Sequence, residues 1–86
     1  MKSINVPASA QQVSCIGISI NVTTAGAVED AQGFVRVKNV GDDLGHIRLF
    51  GKTDDGMAFS SGETEYLYLN DGEVLEVVDG EFNIMF

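Results

Sequence analysis

Six stretches of this 86-residue chain alternate apolar and polar side chains with a period of two. Ile16, Ile18, Ile20 and Val22 alternate with Gly17, Ser19 and Asn21. Val35 and Val37 alternate with Arg36 and Lys38, and Ile47 and Leu49 with His46 and Arg48. Leu67 and Leu69 alternate with Tyr66 and Tyr68, Leu75 and Val77 with Val74 and Glu76, and Phe82, Ile84 and Phe86 with Asn83 and Met85. Successive side chains of a strand point to opposite faces, so each stretch can bury one face and wet the other. The helical spacing of 3.6 is not followed. The pattern predicts an all-β domain.

The breaks carry turn chemistry. They read Gly41-Asp42-Asp43-Leu44-Gly45, Thr53-Asp54-Asp55-Gly56, Ser60-Ser61-Gly62, Asn70-Asp71-Gly72 and Asp79-Gly80. Asp and Asn bond their own backbone in turns, and Gly accepts positive φ. Asp79-Gly80 between two alternating runs is a hairpin signal. The last three strands, about 65–69, 73–78 and 81–86, are therefore expected to form a meander. Residues 23–33 are weakly patterned and read as a loop between sheets, with room for one helical turn over 27–32. The alternation slips between Val13-Cys15 and Ile16-Ile18, which suggests a bulge. Short strands with frequent turns predict a small antiparallel β-sandwich or partly open barrel of about seven to eight strands.

A chain this short has room for one core, so residues 1–86 are expected to form a single domain, with 1–7 a candidate extended arm. Cys15 is the only cysteine, which excludes an internal disulfide and a Cys-rich zinc site. It reads as a small buried hydrophobe. The first residues lack a signal-peptide apolar run, and no stretch has the length to span a bilayer as a helix. Synthesis in a reducing cytosol is the expectation.

The net charge of −8 is unevenly spread. All five basic residues, Lys2, Arg36, Lys38, Arg48 and Lys52, lie before residue 53. Residues 53–86 hold nine Asp and Glu and no Lys or Arg. That part repels phosphates and anionic lipid, so neither nucleic acid nor a membrane is an expected partner. It reads as a solvated acidic face, or as a surface that docks on a basic partner.

A catalytic constellation is not apparent. His46 is the only histidine and shares the solvent parity of Arg48. Asp42-Asp43 and Asp54-Asp55 resemble loose Ca²⁺ clusters but lack EF-hand spacing. Asn21-Val22-Thr23 matches a glycosylation sequon without a secretory route to use it. The expectation is a non-enzymatic protein with no catalytic residues, metal or cofactor. Candidate partner-interface residues are Ile4 and Val6 in the arm, Tyr66 and Tyr68 on one strand face, and Met85 and Phe86 at the apolar end. For the last strand, burial in the core competes with docking on a neighbour.

Two segments carry a family resemblance. Gly33-Phe34-Val35-Arg36-Val37-Lys38-Asn39-Val40-Gly41 is a V-R-V-x-N-x-G strand leading into a turn, followed by a short strand ending in Phe50-Gly51. Leu69-Asn70-Asp71-Gly72-Glu73-Val74-Leu75-Glu76-Val77 is an L-x-x-G-E-x-x-x-V step before the final strand. This resembles small virion-associated proteins of tailed bacteriophages, some of which decorate or cement the head. It touches residues 33–51 and 67–86, and departs from the usual Pro-Gly turn in having Asp71-Gly72.

The resemblance implies a β-sandwich, no catalysis, residence in the virion after synthesis in a host cytoplasm, and the major capsid protein or another shell protein as partner. A small homo-oligomer is compatible with it. Competing expectations are a tail, fibre or small-ligand-binding β module using Tyr66 and Tyr68, and an acidic inhibitor masking a basic partner surface.

Overall fold

The computed structural model describes residues 17–86. Ile4, Val6, Cys15, Ile16 and the Val13–Cys15 slip lie outside the described residues. Eight strands follow one another: β1 (Ser19–Val22), β2 (Gly26–Val28), β3 (Gly33–Asn39), β4 (Gly45–Leu49), β5 (Met57–Phe59), β6 (Thr64–Leu69), β7 (Leu75–Asp79) and β8 (Phe82–Met85). They form two four-stranded sheets, β1-β8-β3-β6 and β2-β7-β4-β5, with every pairing antiparallel. The fold is a β-sandwich, in the expected class and strand number.

Alternation places the core. Val35 and Val37 of β3, Phe82 and Ile84 of β8, Ile47 of β4, Phe59 of β5, and Leu75 and Val77 of β7 are almost fully buried between the sheets. Phe59 and Phe82 meet edge to face, with ring centroids 5.4 Å apart, and join the two layers. Ile20, Val22, Leu67 and Phe86 pack against this cluster from its margins. Ile18 has the inward parity but remains 49% exposed, beyond the end of β1.

The expected meander is not formed. β6 and β8 belong to one sheet and β7 to the other, so the chain crosses the core at 70–74 and again at Asp79-Gly80-Glu81. Turn residues permit a reversal without deciding its plane. A hairpin keeps both apolar faces on one side of one sheet, whereas an arch brings them face to face across a core. Backbone clearance favours the arch at Gly80, which takes φ +94. A Cβ at Gly80 would lie 2.8 Å from Gly45 Cα, and one at Gly45 would lie 2.8 Å from Phe82 Cζ. Among the described residues only β4 and β5 are consecutive strands paired within one sheet.

Residues 23–33 hold no helix. Gly26–Val28 pairs with Leu75–Val77, and Val28 and Ala31 are buried. A three-residue strand is too short for alternation to reveal. Phe50 lies just past β4 and is 61% exposed, so the short strand stops at Leu49.

Asn39 ends β3 and is fully buried. Its Nδ2 donates to Phe59 O and Asp43 O, both at 2.9 Å, and its Oδ1 accepts from Gly41 N at 2.9 Å. Its own backbone N donates to Glu63 O, and its O accepts from Gly62 N. The Asn39-Val40-Gly41 step is thus an Asx turn whose remaining donors tie the two sheets together. The Gly-Glu step has a similar account. Glu73 Oε1 accepts from Asn70 N at 2.7 Å, and Glu63 Oε1 accepts from Ser60 N at 2.8 Å. In both turns the Glu backbone N donates back to the same residue's carbonyl, after a glycine at positive φ.

Candidate functional site

The two outer faces of the sandwich differ in chemistry. On the β2-β7-β4-β5 sheet the charges satisfy one another. Arg48 Nε donates to Glu76 Oε1 at 2.9 Å across β4 and β7, and its Nη1 donates to Asp54 O at 2.7 Å. His46 Nδ1 and Asp79 Oδ1 are 2.9 Å apart at the corner where the chain crosses to β8. This pair fastens the irregularity between His46 and Ile47. Among the described residues, no group of three His, Cys, Asp or Glu converges on a metal-sized point.

The outer face of the β1-β8-β3-β6 sheet is built differently. Inward parity is taken by Val35, Val37, Ile84 and Leu67, so the outward residues follow from register. Ser19, Met85, Arg36 and Tyr66 stand in one row across the four strands. Asn21, Asn83, Lys38 and Thr64 form the next row. Phe34 and Tyr68 stand beside the first row, with ring centroids 4.8 Å apart in an edge contact. No Asp or Glu occupies these ten outward positions. Arg36 and Lys38 form no ion pair among the described residues, which pair only His46 and Arg48 with carboxylates.

Arg36 is held in place. Its Nη2 donates to Asn83 Oδ1 at 2.9 Å. Asn83 Nδ2 in turn reaches Asn21 Oδ1 at 2.9 Å and Ser19 Oγ at 3.1 Å. Arg36 Nε is buried without an acceptor. A guanidinium fixed by a polar chain on one side, between Met85 and Tyr66 in register, loses little freedom on meeting a partner. Tyr66 and Tyr68 are 38% and 57% exposed.

Three of the candidate interface residues come together here: Tyr66, Tyr68 and Met85. Phe86 does not join them, because it turns to the core and exchanges backbone hydrogen bonds with Ile18 at 2.9 and 3.0 Å. Phe34 and Arg36 were not among the residues singled out from sequence. Their outward parity is written in β3, but their proximity to Tyr68 and Tyr66 depends on β3 pairing with β6. Among the described residues no helix is long and apolar enough to cross a membrane. Comparison with family models, with curated proteins and with solved structures finds no match.

Proposed function

We propose that this chain is a non-enzymatic virion protein that binds the assembled shell of a tailed phage and stabilises it, docking through the outer face of the β1-β8-β3-β6 sheet. The observation that carries the binding role is the make-up of that face. Tyr, Phe, Met and Arg are the residue types enriched at interface cores, and Asp and Glu are depleted there. Tyr and Arg are also the usual hot-spot anchors. Phe34, Arg36, Tyr66, Tyr68 and Met85 meet that description on a molecule of net charge −8. The acidic turns then form a solvated rim. The choice of a phage shell as partner rests on the resemblance of residues 33–51 and 67–86.

Stabilisation follows from linkage. A protein that binds only assembled subunits lowers the free energy of the assembled state by RT ln(1 + [L]/Kd), about 2.7 kcal/mol per site at a hundredfold excess over Kd. The test is sedimentation with purified heads of the phage that encodes it, beside free capsid subunits. The proposal expects pelleting at a fixed copy number per head and little retention by free subunits. Equal affinity for both would contradict the cement mechanism.

A further inference from the structure

The outer face of the β1-β8-β3-β6 sheet holds two cations that the fold leaves without a counter-charge. Arg36 and Lys38 lie two residues apart on β3 and share its outward parity, roughly 7 Å from each other along the strand. Arg36 lies between Met85 and Tyr66, Lys38 between Asn83 and Thr64, and both are half-buried. The chain has thirteen Asp and Glu, yet among the described residues none comes within ion-pair distance of either. Arg48, on the other sheet, shows the contrast: its Nε meets Glu76 Oε1 at 2.9 Å. Arg36 instead gives Nη2 to the neutral Oδ1 of Asn83, and its Nε is buried with no acceptor. A guanidinium oriented by an uncharged amide is fixed in place without being neutralised, so its charge is left for a partner.

We infer, resting on the docking face proposed above, that the segment of the partner protein which meets this face is acidic, with its carboxylates seated on Arg36 and Lys38. Its apolar side chains then lie against Phe34, Tyr68 and Met85. Charge complementarity selects this occupant. Docking strips water from both cations, and a carboxylate replaces that water with charge-assisted hydrogen bonds that match the guanidinium fork. A neutral or basic segment would cover the two cations and leave them unpaired, which costs affinity. The face itself does not oppose a carboxylate, since none of its ten outward positions holds Asp or Glu. A phosphate polymer is disfavoured on the same page of charges. Its binding rests on many cations along its length, and here two stand on a molecule of net charge −8. A short acidic segment needs no more than the two.

The test is an amide NMR titration of the full chain at neutral pH with three capped pentapeptides. Each alternates alanine with a second residue, which is glutamate, glutamine or lysine. Net charge alone predicts that the lysine peptide binds best, at the acidic turns. The cationic pair predicts saturable shifts with the glutamate peptide, centred on the amides of Arg36, Lys38 and Tyr66. Its affinity there should exceed that of the glutamine peptide at least tenfold, and the lysine peptide should leave those amides unmoved. Arg36→Gln with Lys38→Gln should abolish the glutamate shifts while the dispersion of the other amides reports the fold. Lys38→Gln alone, which keeps the Arg36–Asn83 bond, should weaken the glutamate peptide at least threefold. Shifts that do not saturate, that map away from β3, β6 and β8, or that persist unchanged in both variants would overturn the inference. Pelleting with heads is a separate readout. A chain left in the supernatant removes the shell as partner, whereas a failed titration removes the acidic segment and leaves shell binding standing.

Discussion

Asn39 shows how much one side chain can decide. It makes three side-chain hydrogen bonds from full burial, one to β5 and two to the 40–44 turn. Asn39→Ala leaves two carbonyls and an amide without partners, and each buried orphan costs about 1–3 kcal/mol. The expected loss is about 3 kcal/mol in a urea titration. Asn39→Asp should lose at least as much despite its nearly equal volume, because a carboxylate cannot donate to Phe59 O and Asp43 O. Near-wild-type stability of the Asp variant would show that volume, not donation, is what matters there. The glycines separate two effects. At Gly45 a Cβ would meet the Phe82 ring and lie 3.1 Å from Asp79 O. At Gly62 it would meet nothing within 4 Å, but φ is +82. Gly62→Ala is expected to cost about 1 kcal/mol from backbone strain. Gly45→Ala should cost more, about 2–3 kcal/mol, from overpacking. Thermal melts of the pair decide between them, and the reverse order would contradict the arch packing.

At the scale of elements, the final strand does not fray into solvent. β8 lies between β1 and β3, and its pairing continues to Phe86 through both hydrogen bonds with Ile18. Its amides are therefore expected among the slowest to exchange with deuterium, and removal of 82–86 should abolish the folded circular-dichroism spectrum. Rapid exchange across β8 would contradict its central place. Strand positions were legible because Val35, Val37, Leu75, Val77, Phe82 and Ile84 obey period two and all are buried. Strand neighbours were not. Asp79-Gly80 has the composition of a hairpin, yet it crosses between sheets because Gly80 packs on Gly45, a contact 35 positions away in the chain. Local turn chemistry carries no signal of that contact. β2 and β5 escaped notice for another reason, since three residues do not define an alternation. The proposed binding face was half legible. Tyr66 and Tyr68 stand out within β6, but Phe34 and Arg36 join them only through the β3–β6 register.

For the whole molecule, the carboxylates of residues 53–86 serve the fold, and the cationic, aromatic face is the proposed binding surface. Glu63 and Glu73 close turns, Glu76 and Asp79 pair with Arg48 and His46, and the carboxylates leave the outer face of the β1-β8-β3-β6 sheet clear. Tyr68 is 57% exposed and its ring edge-packs on Phe34, so its loss should cost no more than about 1 kcal/mol of stability. Its loss from a binding face should cost far more affinity, as truncation of a central aromatic anchor usually does. A surface used for masking a basic partner would behave in the opposite way. Affinity would then reside in the acidic turns and fall steeply with salt. The decisive measurement compares two double variants of matched melting temperature in the sedimentation assay with assembled heads: Arg36→Ala with Tyr68→Ala, and Asp54→Asn with Asp55→Asn. The account predicts that the face variant loses at least tenfold in affinity while the turn variant pellets like the wild type. Wild-type retention of the face variant, with loss only in the turn variant, would contradict it.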